Sequence, residues 1–128
     1  MTGVQTCALP ISINNDKVIL LDAIYNLEEL NFIRANCFLY IHSHSFCGTA
    51  PSLVEAMNFN IPIICFDVPT NRETTHNKSI YFSNSEMLSD ILNNLDPASI
   101  EKIRSDLFNI AKKNYTWSVI ASNYKEIL

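Results

Sequence analysis

"CGTAPSLVEAMNFNIPIICFD", residues 47–67, runs a loop, a helix start and a buried strand together in one unbroken order. Gly48 lets the backbone turn tightly or approach a ligand closely. Pro51 suits a first helical position, where its preset φ favours the helix and its missing amide proton is no loss. The helix is expected from 51 to about 58, with Leu53, Ala56 and Met57 on the face turned to a sheet. Asn60 then tolerates the left-handed conformation past the helix end. "IPIICF", 61–66, is short, apolar and β-branched, the pattern of a strand covered on both faces.

The same reading extends in both directions. "KVILL" (17–21) and "CFLYI" (37–41) read as buried strands, and "SIYFS" (79–83) as a shorter one. Asn26 and Glu29 have N-cap and N3 spacing ahead of a helix near 27–35. Ser83 and Glu86 make a capping box, with Leu88, Ile91, Leu92 and Leu95 on one face of the helix that follows. Pro97 opens the next helix, whose stripe is Ile100, Ile103, Leu107 and Ile110. Thr116 caps a last helix carrying Trp117, Ile120, Tyr124 and Ile127. Strands alternating with helices predict a parallel sheet with helices on both faces, an α/β, Rossmann-like layer structure.

A chain of 128 residues suffices for one domain with a core, and 48% hydrophobic against 17% charged residues excludes a disordered chain. The formal charge of −4, with no basic patch, argues against a nucleic-acid partner. A small anion remains open to it, since a local site can hold one. No apolar run approaches the length of a membrane span. At the N-terminus, "MTGVQTCALPIS" lacks a basic segment, and Pro10 breaks its short apolar run, so it is no signal peptide. Residues 1–11 instead resemble a common short-read sequencing adapter translated in frame. Residues 1–12 are therefore expected to be an artefactual, disordered leader, and 13–128 the native part of a protein that continues upstream. With Cys7 set aside, Cys37, Cys47 and Cys65 show no CxxC or metal-ligand spacing. Such free thiols suit a reducing cytoplasm.

In open parallel sheets, ligands bind beyond the carboxyl ends of the strands, where the loop "HSHSFCGTA" falls. Helix amides around 52–54 then point into the loop, a geometry suited to phosphate. Glu55, one turn later, can accept hydrogen bonds from two ribose hydroxyls. Equally, every strand–loop–helix unit has such a helix start, and an early glutamate is favourable there without any ligand. His42 and His44 flank the loop, either as partners of a phosphate or sugar, with His44 nearer the turn, or as histidines satisfied by backbone. Alternation along an extended segment argues against their being a metal pair. Arg72 reads either as a phosphate partner or, with Glu73 and Lys78, as a solvated loop. Asp67 reads as a loop cap; Trp117 and Tyr124 resemble an acceptor-stacking pair, but their helical spacing favours a core or interdomain face.

"GTAPSLVEAMNFNIPIICFDVPTNRETT" resembles the donor-site segment of family 4 (group 1) glycosyltransferases of GT-B fold. More narrowly, "HSHSFCGTAPSLVEAM", "DVPTNRETT" and "YTWSVIASNYKEIL" resemble bacterial rhamnosyltransferase-like members that build surface polysaccharides. The likeness spans residues 17–128. It implies a truncated C-terminal, nucleotide-sugar-binding half of a GT-B enzyme, at 13–128. In it the amides of Thr49, Ala50, Ser52 and Leu53, beside Gly48, would cradle the donor diphosphate, and Glu55 would hold the ribose. His44 and Arg72 complete the expected donor-binding set, and no catalytic residue is assigned. The first glutamate of the family's E-x7-E motif falls at Cys47. This departure suits a donor sugar held differently, such as a deoxysugar, or a copy that binds its donor poorly.

The intact enzyme implied by the resemblance moves a sugar, rhamnose at the level of the branch, from a nucleotide-diphosphate donor to a polysaccharide or lipid-linked oligosaccharide acceptor. It needs no cofactor and no obligatory metal. It works in the cytoplasm or peripherally at the inner membrane face, and an N-terminal GT-B domain is its missing partner. The fragment alone is expected to be inactive. Two other readings stand beside this one: a sugar-nucleotide epimerase of the same architecture, and a non-catalytic nucleotide-binding or interaction module.

Overall fold

Isoleucines and a cysteine at 63–65 build the centre of the fold. In the computed structural model, which describes residues 17–46 and 48–127, Ile63–Phe66 is the middle strand of a three-stranded parallel sheet. The expected leader and Cys47 lie outside the described residues. The elements run α1 (Leu27–Asn36), β1 (Tyr40–His42), α2 (Pro51–Met57), β2 (Ile63–Phe66), α3 (Pro69–Thr74), β3 (Ile80–Phe82), α4 (Ser85–Asn93), α5 (Pro97–Asn114) and α6 (Trp117–Ile127). Strand order is β1-β2-β3, with Tyr40 opposite Ile63, His42 opposite Cys65 and Phe66 opposite Phe82. The chain is thus an α/β structure, a parallel sheet flanked by helices, consistent with a Rossmann-like partial fold.

The core lies where α2 and α5 pack together against the sheet. Leu53, Ala56 and Met57 of α2 are buried, as their spacing predicts, and meet Ile63 and Cys65 of β2 with Ile103, Leu107 and Ala111 of α5. Each large apolar side chain taken out of water here contributes about 1.5–3 kcal/mol. Cys65 is a free thiol, and burial pushes it up to about 11. Cys37, also free, sits half-buried at the end of α1 rather than inside a strand.

Local signals set most of the helix ends. The Asn26 side chain accepts from the amides of Glu28 and Glu29, and Pro51 and Pro97 stand at the starts of α2 and α5. Asn60 has φ 55°, the left-handed conformation expected of it. The capping box is displaced by one residue. Asn84, not Ser83, caps α4, its side chain accepting from the Met87 amide at 2.8 Å. Asparagine is as strong an N-cap as serine, and here it occupies the extended position that the cap requires.

Two expectations need larger correction. The strand expected at 17–21 is absent from the sheet, and its side chains are open to solvent, Ile19 at 80% and Leu20 at 69% exposure. β-branched composition makes a segment fit for a sheet, but only pairing makes it a strand, and the sheet among the described residues consists of β1, β2 and β3. The segment after β2, read as a loop, contains a helical turn, α3. Pro69 at its first position is the signal that marks it.

Candidate functional site

The carboxyl end of β1 opens into the loop expected to hold a ligand. His42, the last residue of β1, is 1% exposed. Its Nδ1 lies 3.4 Å from the Tyr40 hydroxyl, and its Nε2, also buried, has no hydrogen-bond partner. Burial, reinforced by the neighbouring His44, pushes His42 down to about 4, so the ring is neutral at neutral pH. His44 is exposed, its ring set edge-on to that of His42 with centroids 4.9 Å apart. By sequence the two histidines are equal candidates, with His44 nearer the turn. It is His42 that carries the unsatisfied buried nitrogen, an arrangement that is costly unless something at the site uses it.

The loop is tied down by a residue that sequence reasoning missed. Asn71 of α3 is 1% exposed, and its Nδ2 donates both to the Phe66 carbonyl at 2.9 Å and to the His44 carbonyl at 3.1 Å. One amide group thereby joins the ends of β1 and β2. Nothing in the local sequence announces a contact between positions so far apart in the chain.

Gly48 is not in a left-handed conformation, and a side chain at its position would meet nothing within 4 Å. The chain bends at 48–49, and the space beside Gly48 remains open to an approaching ligand. Ala50 is buried and precedes α2 without a side-chain cap bond. The Leu53 and Val54 amides both donate to the Ala50 carbonyl, at 3.0 and 3.2 Å. Leu53 is thus engaged through its amide as well as through its buried side chain. Ser52 is half-buried, Thr49 exposed.

Glu55 projects from the exposed side of α2. Its Oε2 lies 2.8 Å from Nη1 of Arg34 on α1, with the glutamate side chain 54% exposed and the arginine 22%. Glu55 also lines a groove of about 480 Å³, shared with Thr49 from the loop, with Tyr115 at the end of α5 and with Trp117 and Ile120 of α6. The structure therefore brings Thr49 and Glu55 to one concavity. His44 and Arg72 are not part of its lining. Arg72 stands on α3 in a two-pronged pair with Asp67, Nε to Oδ1 at 2.6 Å and Nη2 to Oδ2 at 2.9 Å, with its guanidinium 4.1 Å from the centre of the Tyr81 ring. The hydrogen bond from Arg72 holds the Asp67 carboxyl below its ordinary range. Asp67, expected to act as a loop cap, is instead the partner of this arginine, whose Nη1 alone points away from it to Asn77.

Trp117 and Tyr124, expected in a core or interdomain face, are 86% and 66% exposed. Tyr115 just before them is held, its hydroxyl donating to the Thr74 carbonyl at 2.9 Å. No helix among the described residues is long and apolar enough to cross a membrane. In comparisons with known proteins, no family model matches the chain and no solved structure matches it.

Proposed function

We propose that this chain is the donor-binding part of a glycosyltransferase of GT-B fold. The intact enzyme moves a sugar, rhamnose in the reading the resemblance favours, from a nucleotide diphosphate to a polysaccharide or lipid-linked oligosaccharide, with a second domain supplying the acceptor. The observation that carries this reading is the meeting of Thr49, from the loop between β1 and α2, and Glu55 of α2 in one groove. There a loop residue offers its amide to phosphate, and a carboxylate one turn along α2 offers acceptors to ribose hydroxyls. Transfer requires the charge on the leaving diphosphate to be stabilised, and fixed amides do this without a metal ion.

The test is calorimetric titration of the chain with uridine, thymidine, guanosine and adenosine diphosphates. Binding of at least one, weakened about tenfold or more by Glu55→Gln, supports the reading. A folded chain that binds none of them at millimolar concentration sinks it.

A second reading, a nucleotide-binding module without transfer activity, is favoured by one feature. Arg34 of α1 and Arg72 of α3 are both already paired with carboxylates. Full nucleotide affinity without sugar transfer by the complete protein would select it.

A further inference from the structure

We propose that the outer edge of β1 is an association surface between two copies of this chain, with residues 17–21 of each copy added beside β1 of the other. The inference is independent of the donor-binding reading. Within one copy, both halves of this contact stand unused. β1 is the outer strand of the order β1-β2-β3, and nothing among the described residues pairs with its free side. The Tyr40 amide donates to the Pro62 carbonyl at 3.0 Å, so alternation along the parallel ladder turns the amide and carbonyl of Ile41 outward. The Ile41 side chain is 38% exposed, and Phe38, just before the strand, is 70% exposed. The opposite edge is less open, with Ile80 and Tyr81 of β3 half-buried and Phe82 buried.

Residues 17–21, "KVILL", supply the matching part. Their composition is that of a strand, yet they lie unpaired although the β1 edge of the same copy is open, and Val18, Ile19, Leu20 and Leu21 are all exposed. An open edge and an unpaired apolar segment are the two ingredients of strand addition, in which backbone bonds give affinity and alternate side chains give fit. Residues 22–26 join the segment to α1, and a stretch of that length reaches about 17 Å when extended. The segment can thus leave its own helix and cross to a neighbour, exchange of like elements being a low-cost route to a dimer. α1, which leads into this edge, needs the same cover, since none of its residues is buried and Leu27 and Phe32 are exposed. A fully exposed large apolar side chain offers about 150–250 Å². Those between 18 and 41 therefore hold on the order of 1,000 Å² of open apolar surface, against roughly 800 Å² per partner in a standard interface.

The test is sedimentation of the full chain from low to high micromolar concentration, with hydrogen exchange followed at the Ile41 amide. A dimer is expected at the upper end, and the Ile41 amide exchanges more slowly as it forms. Ile19→Pro and Leu20→Pro, made together, remove two amide donors from a segment that makes no pairing within one copy. The fold is therefore kept, which circular dichroism verifies. The double variant is expected to weaken the dimer about tenfold or more, the worth of one or two ladder hydrogen bonds, and to free the Ile41 amide. Trp117→Asp, on the exposed part of α6, is the control and leaves the dimer unchanged. A chain that stays monomeric throughout overturns the proposal, whether its Ile41 amide is open or is protected by the chain's own residues. A dimer that survives the two prolines, or that Trp117→Asp disperses, places the contact elsewhere and overturns it as well.

Discussion

Arg34 and Glu55, on α1 and α2, face each other with Nη1 of one 2.8 Å from Oε2 of the other. The pair orients the glutamate while leaving its Oε1 outside the ion pair. A partly exposed pair of this kind contributes little to stability, about 0–1 kcal/mol. Arg34→Ala is therefore expected to leave the urea midpoint nearly unchanged. If Glu55 holds a ribose through two hydroxyls, Glu55→Gln costs a ribonucleoside diphosphate more affinity than its 2′-deoxy counterpart. Equal losses for the two, measured by calorimetry, would show that the carboxylate does not read the 2′-hydroxyl.

His42 makes stability depend on pH in a defined window. Its folded value of about 4 lies below the ordinary 6.5. Above 6.5 the ring is neutral in both folded and unfolded chains, and its contribution is fully present. As pH falls from 6.5 toward 4, the unfolded chain takes up the proton first and stability declines, levelling off below 4. The whole gap corresponds to about 3 kcal/mol. Urea unfolding at several pH values between 7 and 4 measures it, and His42→Gln is expected to flatten the dependence there. Asp67 and Asp96, both held below the ordinary carboxyl value of 3.8, lose their contributions at lower pH, so the windows separate.

Asn71→Ala removes the donor shared by the Phe66 and His44 carbonyls. The expected loss is about 1–3 kcal/mol, the sum of two part-buried hydrogen bonds. Hydrogen exchange separates local from global effects. Amides at 44–46 should exchange faster in the variant than those of β2 under conditions where the fold is intact. Uniform acceleration across both would mean that Asn71 supports the fold generally and does not clamp this loop.

Leu107 and Leu92 occupy apolar stripes of equal promise in the sequence, but α5 buries the first fully while α4 leaves the second 40% exposed. Leu107→Ala is expected to cost about 2–5 kcal/mol and Leu92→Ala under about 1 kcal/mol. Chemical denaturation of the two variants side by side checks the difference. Similar costs would place the core elsewhere than between α2, α5 and the sheet.

What could be read from the chain follows the range of the interaction concerned. Asn26, Pro51 and Pro97 act within one helical turn, so their residue types alone place the starts of α1, α2 and α5. The inward face of α2 was equally legible, because Leu53, Ala56 and Met57 recur at helical spacing. Asn60 needs no partner to adopt its left-handed conformation. Even the failure at Ser83 was local, two good caps competing side by side.

Contacts between distant positions were not legible. Residues 17–21 have the composition of a strand, yet a strand exists only where another offers its hydrogen bonds, and that was decided in three dimensions. The same holds for Asn71 reaching the His44 carbonyl, for Arg34 reaching Glu55, and for Arg72 held by Asp67 under Tyr81. Sequence placed His42, His44, Thr49 and Glu55 near one strand end through their order along the chain. Tertiary structure decided that His42 is buried with a free nitrogen, that Thr49 and Glu55 share a groove, and that Trp117 stands exposed on its wall. Periodicity reports which side of a helix is apolar. Only the packing of one element on another settles what that side meets.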